Sequence, residues 1–401
     1  MRRVGMQSSR LLRPAARLLS SRPGVGHSGH LSAELRNQHD GPAASGQGLT
    51  HAQKYLFDLN GFIVLRNMFD ADIVERANDA VDAHLDRLHE RKGQLRTSGL
   101  YGRESKALAG DGRTGRMDLG GMLGWEAPHR EPFREVLSHP SVAKVLNELV
   151  GVGYRLDHSP LLIAQEKGAE GHTLHGGAVT ESGEPAWPLA YSFRHGHMRN
   201  QLLTVCMQLS EAGQGDGGFC AVPGSHKANF PVPPALADLD DPEVCARLGT
   251  LYPRTTLPSR RDPSHTTQPF ADIDSTPSLR SFRRSQLAAC VVQPTLAPGD
   301  CLIFSEATLH GTLPWAADHQ RRTVIYRFAP AGSAYGRGYH PSWPEATLDG
   351  MTAAQRCVME APYHPRMNRT YVGEDGQAVE AKAREGFKVE FDEKVFGSRY
   401  F

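Results

Sequence analysis

Beyond residue 153 the chain becomes a succession of short apolar or alternating runs, each closed by a turn rich in glycine or proline. "YRLDHSPLLIAQEK" (154–167), "NQLLTVCMQLSEAG" (200–213), "GDGGFCAVPGSHK" (215–227), "LAACVVQPTLAPGDCLIFSEATLHG" (287–311) and "RRTVIYRFAP" (321–330) follow one another in this way. Many short strands with regular turn signals argue for an antiparallel sandwich or barrel. Helices stand in front of it. "THAQKYLFDLNGFIVLRNMFD" reads as a short helix, an Asn60-Gly61 turn and a strand. In "DADIVERANDAVDAHLDRLHER", Asp70 takes the N-cap position and Ile73, Ala77, Ala80, Val81, His84 and Leu85 recur at helical spacing. "REPFREVLSHPSVAKVLNELVG" is helical with a break at Pro140.

Residues 230–285 are rich in Pro, Arg and Asp with weak periodicity, which suits a covering insertion better than a domain. The tail holds a helix-like "PEATLDGMTAAQRCVMEAPYHP" and ends in the aromatic "VFGSRYF", expected to dock back on the body. Residues 1–34 contain six arginines and six serines with no acid before Glu34, the composition of an organelle transit peptide, with a disordered cytosolic tail as the alternative; a mitochondrial address is expected, with plastid and cytoplasm as the other readings. The expected organisation is a transit segment and linker over 1–45 and one domain over 50–401. Its core spans about 57–330, and 331–401 form a C-terminal extension.

Formal net charge is +1, so no global field recruits nucleic acid or an anionic membrane. No run approaches the roughly 18 apolar residues of a membrane span. A small or amphipathic molecule is the natural partner. The six cysteines include no C-x-x-C pair and read as reduced core thiols.

The chemistry concentrates in two segments. In "LAPGDCLIFSEATLHGTLPWAADHQRRTVIYRF" a Pro298-Gly299-Asp300 turn leads into the buried strand "CLIF", and His310-Gly311 sits at that strand's far end. Arg321 follows eleven residues later, opening the next strand. A neutral imidazole is a metal ligand, and a guanidinium fork matches a carboxylate. The two-residue period turns Arg322 to the opposite face and leaves Arg327 on the face of Arg321. The second segment, "GHTLHGGAVTE" (171–181), carries His172 and His175 followed by Gly176 and Gly177. His226 in "PGSHK" reads as a brace for its turn, and Gln165 as a residue lining the cavity.

These segments, with "FDLNGFIVLRNMFDADIVERA" and "LLTVCMQLSEAGQGDGGFCAVPGSHK", resemble the phytanoyl-CoA dioxygenase family from about Phe57 to Phe328. The resemblance implies a mainly β fold with flanking helices, a double-stranded β-helix (jelly roll, cupin-like). It also implies an oxygenase using iron(II), 2-oxoglutarate and O2 on a small-molecule substrate. The family holds iron with His-x-Asp and a distal His, and binds the cosubstrate through an Arg. Carried over by position, these are His175, His310 and Arg321, with Gly177 where the carboxylate belongs. Three readings stay open. Another acid, Glu181 or Asp216, takes the place; or the position stays open to water or halide, as in some related iron halogenases; or the fold survives as a metal-free binding protein.

Overall fold

The computed structural model of the chain describes residues 48–95, 104–180, 182–232, 239, 290–336, 343–363, 369–380 and 386–398. The segment expected to be a transit peptide, nearly all of the 230–285 insertion and Glu181 lie outside the described residues.

Helix α1 (His51–Asn60) begins at Thr50, whose hydroxyl accepts the Gln53 N–H while the Gln53 side chain accepts the Thr50 N–H. This reciprocal capping satisfies two donors the helix would leave unpaired. Gly61 ends it at φ 81°, a left-handed turn that suits glycine, and leads into β1 (Phe62–Leu65). Helix α2 (Ala71–Asp82) starts at Asp70, whose carboxylate accepts the Ile73 N–H at 2.9 Å. Ile73, Ala77, Ala80 and Val81 are buried as their spacing predicts. The helix stops at Asp82, however, so Leu85 leaves the apolar stripe and is 44 % exposed. Strands β2 (His89–Arg91) and β3 (Arg116–Leu119) follow, then α3 (Glu131–Ser138) and α4 (Pro140–Leu149), which separate at Pro140.

The remaining strands are β4 (Arg155–Gln165), β5 (His172–His175), β6 (Tyr191–Arg194), β7 (His197–Asn200), β8 (Leu203–Gln208), β9 (Gly218–Ala221), β10 (Cys301–Ser305), β11 (His310–Leu313) and β12 (Arg321–Ala329). A seven-stranded sheet runs in the order β1–β10–β8–β12–β4–β3–β2, and a three-stranded sheet in the order β5–β11–β9. The described pairings between these strands are antiparallel. This is the jelly-roll architecture, mainly β with flanking helices.

Alternation along the strands builds two cores. Leu203, Val205 and Met207 of β8, Cys301 and Ile303 of β10, and Val324, Tyr326 and Phe328 of β12 join the residues of α2, α3 and α4 on the outer face of the large sheet. The residues between them, Cys206, Leu302, Phe304 and Ile325, meet Phe219 and Ala221 of the small sheet in the space between the sheets. Cys206, Cys220 and Cys301 are buried free thiols, and Cys357 is half-buried. Cys290 is exposed, so the core-thiol expectation fails there, and Cys245 lies outside the described residues.

The C-terminal segment forms two short helices instead of one, α5 (Glu345–Leu348) and α6 (Ala353–Val358). Gly350 at φ 71° breaks the run, and Thr352 starts the second helix with its own capping box. Beyond it, α7 (Gly386–Phe396) leaves Phe387, Phe391, Val395 and Phe396 at least half exposed and buries Asp392, and residues 399–401 of the aromatic end lie outside the described residues. Among the described residues no helix is long and apolar enough to cross a membrane.

Candidate functional site

Strand β12 sends Arg321, Thr323, Ile325 and Arg327 into the space between the sheets, and Val324, Tyr326 and Phe328 toward the helices. Arg322 turns outward, as parity requires, and bonds Asp82 and Asn78 of α2. Arg321 is 4 % exposed. Its guanidinium donates to Oε1 of Gln165, its cross-strand partner, at 2.6 Å. It also lies so close to Gly218 that a Cβ there would stand 3.2 Å from Nε. Among the described residues no carboxylate pairs with it, and burial pushes its pKa down to about 10. Arg116 of β3 lies abreast of Gln165, since its neighbour Met117 pairs with Ala164, and it binds Asp118.

The small sheet carries the imidazoles. His175 and His310 are cross-strand partners, with ring centroids 4.2 Å apart. The Nδ1–H of His310 donates to the Thr308 carbonyl at 2.7 Å, and that of His175 to the Thr173 carbonyl at 2.9 Å. A carbonyl only accepts, so each ring carries its proton on Nδ1 and presents Nε2 as a lone pair. Burial keeps both neutral: it lowers the pKa of His175 to about 3 and that of His310 below the usual histidine range. A β-bulge then matters. His310 pairs with His175 but Thr312 pairs with His172, so three steps on β5 oppose two on β11. His172 is thereby brought to the same side, stacked on His175 at 4.2 Å.

Gly176 and Gly177 follow at φ 83° and 101°. A Cβ on Gly176 would meet the Glu306 carbonyl at 2.6 Å and the Thr308 carbonyl at 2.8 Å, so the glycine lets the 306–309 turn lie against β5. Glu306, four residues before His310, is 6 % exposed. Its Oε1 accepts from Arg327 Nε at 2.6 Å and from the Thr204 hydroxyl, and its Oε2 lies 3.7 Å from His310 Nε2. Burial pushes its pKa up, but the Arg327 charge and the hydrogen bonds from Thr204 and Arg327 pull harder and hold it near 2. Sequence reasoning passed over Glu306, although an acid inside an apolar strand–turn–strand run, one helical turn's spacing before a ligand-type histidine, was a usable signal.

Asp216 is not at this site. Strand β9 runs from Gly218 opposite Leu313 to Ala221 opposite His310, so Asp216 lies beyond the far end of that strand. Its carboxylate accepts the Gly213 N–H at 2.6 Å and closes its own turn. Glu181 lies outside the described residues. His226 braces its turn, its Nε2–H donating to the Asp58 carbonyl at 3.0 Å. Among the described residues no group of three or more His, Cys, Asp or Glu side chains is close enough to hold a metal ion as it stands.

The family model of phytanoyl-CoA dioxygenase matches residues 57–323. The chain belongs to the phytanoyl-CoA dioxygenase family. A search of curated proteins finds no match. Among solved structures, HygX from Streptomyces hygroscopicus, with nickel, 2-oxoglutarate and hygromycin B bound, is 18 % identical, covers 70 % of this chain and 88 % of its own, and gives a TM-score of 0.46. SnoN, a non-heme alpha-ketoglutarate-dependent epimerase from nogalamycin biosynthesis, is 15 % identical over 84 % of this chain and 97 % of its own, with a TM-score of 0.42.

For a member of the phytanoyl-CoA dioxygenase family the donor set can be tested directly. Two neutral imidazoles, each oriented by an Nδ1–H bond to a carbonyl and each presenting Nε2, suit a divalent first-row metal. Gly177 supplies no donor. The histidine part of the site fits a metal, and the carboxylate part departs from the family pattern.

Proposed function

We propose that the chain is an iron(II)- and 2-oxoglutarate-dependent oxygenase that hydroxylates a C–H bond of a small or lipid-like molecule. One observation carries the reading: a buried arginine without a described acidic partner shares an interior with two imidazoles whose Nε2 lone pairs are free for a metal. Neutral imidazoles alone would fit many sites, but a buried cation without a counter-ion is costly unless a ligand supplies one. When bound, iron(II) supplies the activation of O2, coupled to the conversion of 2-oxoglutarate to succinate and carbon dioxide.

The chain's own residues orient and exclude. His175 and His310 hold the metal, their rings kept in place by Thr173 and Thr308. Arg321 receives the distal carboxylate of 2-oxoglutarate, and Gln165 fixes the fork in the orientation that a planar carboxylate needs. Beside the histidines, a cleft of about 400 Å³ is walled by Gly176, Gly177, Val179, Val222, Phe230 and Leu309. No charged side chain lines it among the described residues, which suits an apolar part of the substrate. Gly177 favours a second reading, in which a halide occupies the open position and is transferred; a chlorinated product would distinguish it.

The test is uncoupled turnover. The purified chain with iron(II), 2-oxoglutarate and O2 is expected to form succinate, and Arg321→Met to form none. Absence of succinate from the iron-saturated wild type overturns the assignment.

A further inference from the structure

Resting on the oxygenase reading, the geometry points to Glu306 as the carboxylate that completes the metal site in place of the residue missing at 177. The argument begins with two acceptors that face one another. Oε1 of Glu306 is held by Arg327 and Thr204, which leaves Oε2 directed at His310 Nε2, 3.7 Å away. That separation is too long for a hydrogen bond. In the neutral tautomer, the one that binds a metal, Nδ1 keeps the proton for the bond to Thr308 and Nε2 is a lone pair. Two lone-pair atoms held toward each other in a buried site call for a cation between them.

The distances agree. Donors bound at right angles to one metal through bonds of about 2.1 Å stand about 3.0 Å apart, so Oε2 needs to approach by roughly 0.7 Å. A small side-chain rotation covers this, with Oε1 staying on its anchors. Ligating carboxylates ordinarily keep their second oxygen hydrogen-bonded in this way.

The glycines complete the case. At φ 101° the backbone of Gly177 is one that an aspartate adopts only under strain, so an acid at 177 does not belong to this backbone path. Gly176 without a side chain lets the turn bearing Glu306 close on His175. With Glu306 bound the third position is filled, and no open place remains for a halide.

The experiment measures Mn(II) affinity of the full chain by equilibrium dialysis, with the electron paramagnetic resonance spectrum of the bound ion recorded with and without chloride. Variants are Glu306→Gln, the pair Glu306→Gln with Arg327→Gln (which leaves no buried unpaired guanidinium), and His175→Ala. Both Glu306 variants are expected to bind Mn(II) about 10- to 100-fold more weakly with unchanged circular dichroism. Chloride is expected to leave the wild-type spectrum unchanged and to alter that of the double variant. If Glu306→Gln fails to fold, the double variant decides. Wild-type affinity in the Glu306 variants, with binding lost in His175→Ala, overturns the role of Glu306 and leaves the two-histidine site standing. A chloride-dependent wild-type spectrum overturns it as well. Binding unaffected by His175→Ala removes the oxygenase reading itself.

Discussion

Replacing Arg321 with methionine is expected to stabilise the ligand-free protein while abolishing cosubstrate binding. The guanidinium is 4 % exposed and meets Gln165 but no described carboxylate. A fall in its pKa from 12.5 to about 10 corresponds to roughly 3 kcal/mol of unfavourable charge burial. Methionine keeps much of the side-chain volume and removes that charge. Gln165 Oε1 then loses its donor, at a cost of about 1–2 kcal/mol. The net is a gain of about 1–2 kcal/mol without ligand, read as a raised urea midpoint at constant slope. With metal and 2-oxoglutarate the order reverses. Truncating one partner of a buried charge pair costs about 2–5 kcal/mol, or roughly 30- to 5,000-fold in affinity. Wild type at 100 times its dissociation constant gains about 2.7 kcal/mol from the cosubstrate, and the variant at the same concentration gains under about 1 kcal/mol. A ligand-free variant destabilised by 1 kcal/mol or more, or one stabilised by 2-oxoglutarate as strongly as the wild type, refutes the reasoning.

Three further outcomes follow from the same geometry. Gly176→Ala puts a methyl group against the Glu306 and Thr308 carbonyls at positive φ, so a loss of about 2–4 kcal/mol in urea unfolding, with weakened metal binding, is expected. Asp216→Ala unties the Gly213 turn for about 1 kcal/mol, and dialysis against Mn(II) should find affinity changed by less than about twofold because the residue lies away from the imidazoles. In the metal-free protein burial holds His226 near pKa 4 and His175 near 3, against about 6.5 when unfolded. The unfolded chain therefore binds more protons below pH 6.5, and stability should be flat above pH 7 and fall as pH drops from about 6.5 toward 4. Urea midpoints at pH 7.5 and 5.0 check the sign; equal midpoints contradict it.

Much of the site was legible because strands alternate. Parity put Arg321 and Arg327 on one face and Arg322 on the other, the family resemblance set Arg321 inward, and the structure has Arg322 on α2. The short runs and their turns likewise announced an antiparallel sandwich or barrel, and the family resemblance narrowed it to the jelly roll. What stayed hidden depends on partners that a single strand does not specify. His172 faces the imidazole pair because β5 bulges against β11, a register set between strands. Glu306 sits in a turn, where no periodicity tells which way a side chain points. Asp216 was misread for a local reason: an aspartate in a glycine-rich turn bonds its own backbone more readily than a distant metal. Leu85 continued the spacing of α2, but the helix had already ended at Asp82.

The central claim, one interior built to hold a metal at His175 and His310 and 2-oxoglutarate at Arg321, is tested most directly by anaerobic titration of iron(II) and 2-oxoglutarate into the protein. The account predicts a visible charge-transfer band in the wild type, lost in both His175→Ala and Arg321→Met. A wild type that takes up iron and cosubstrate without a band, or a band that survives both substitutions, contradicts it.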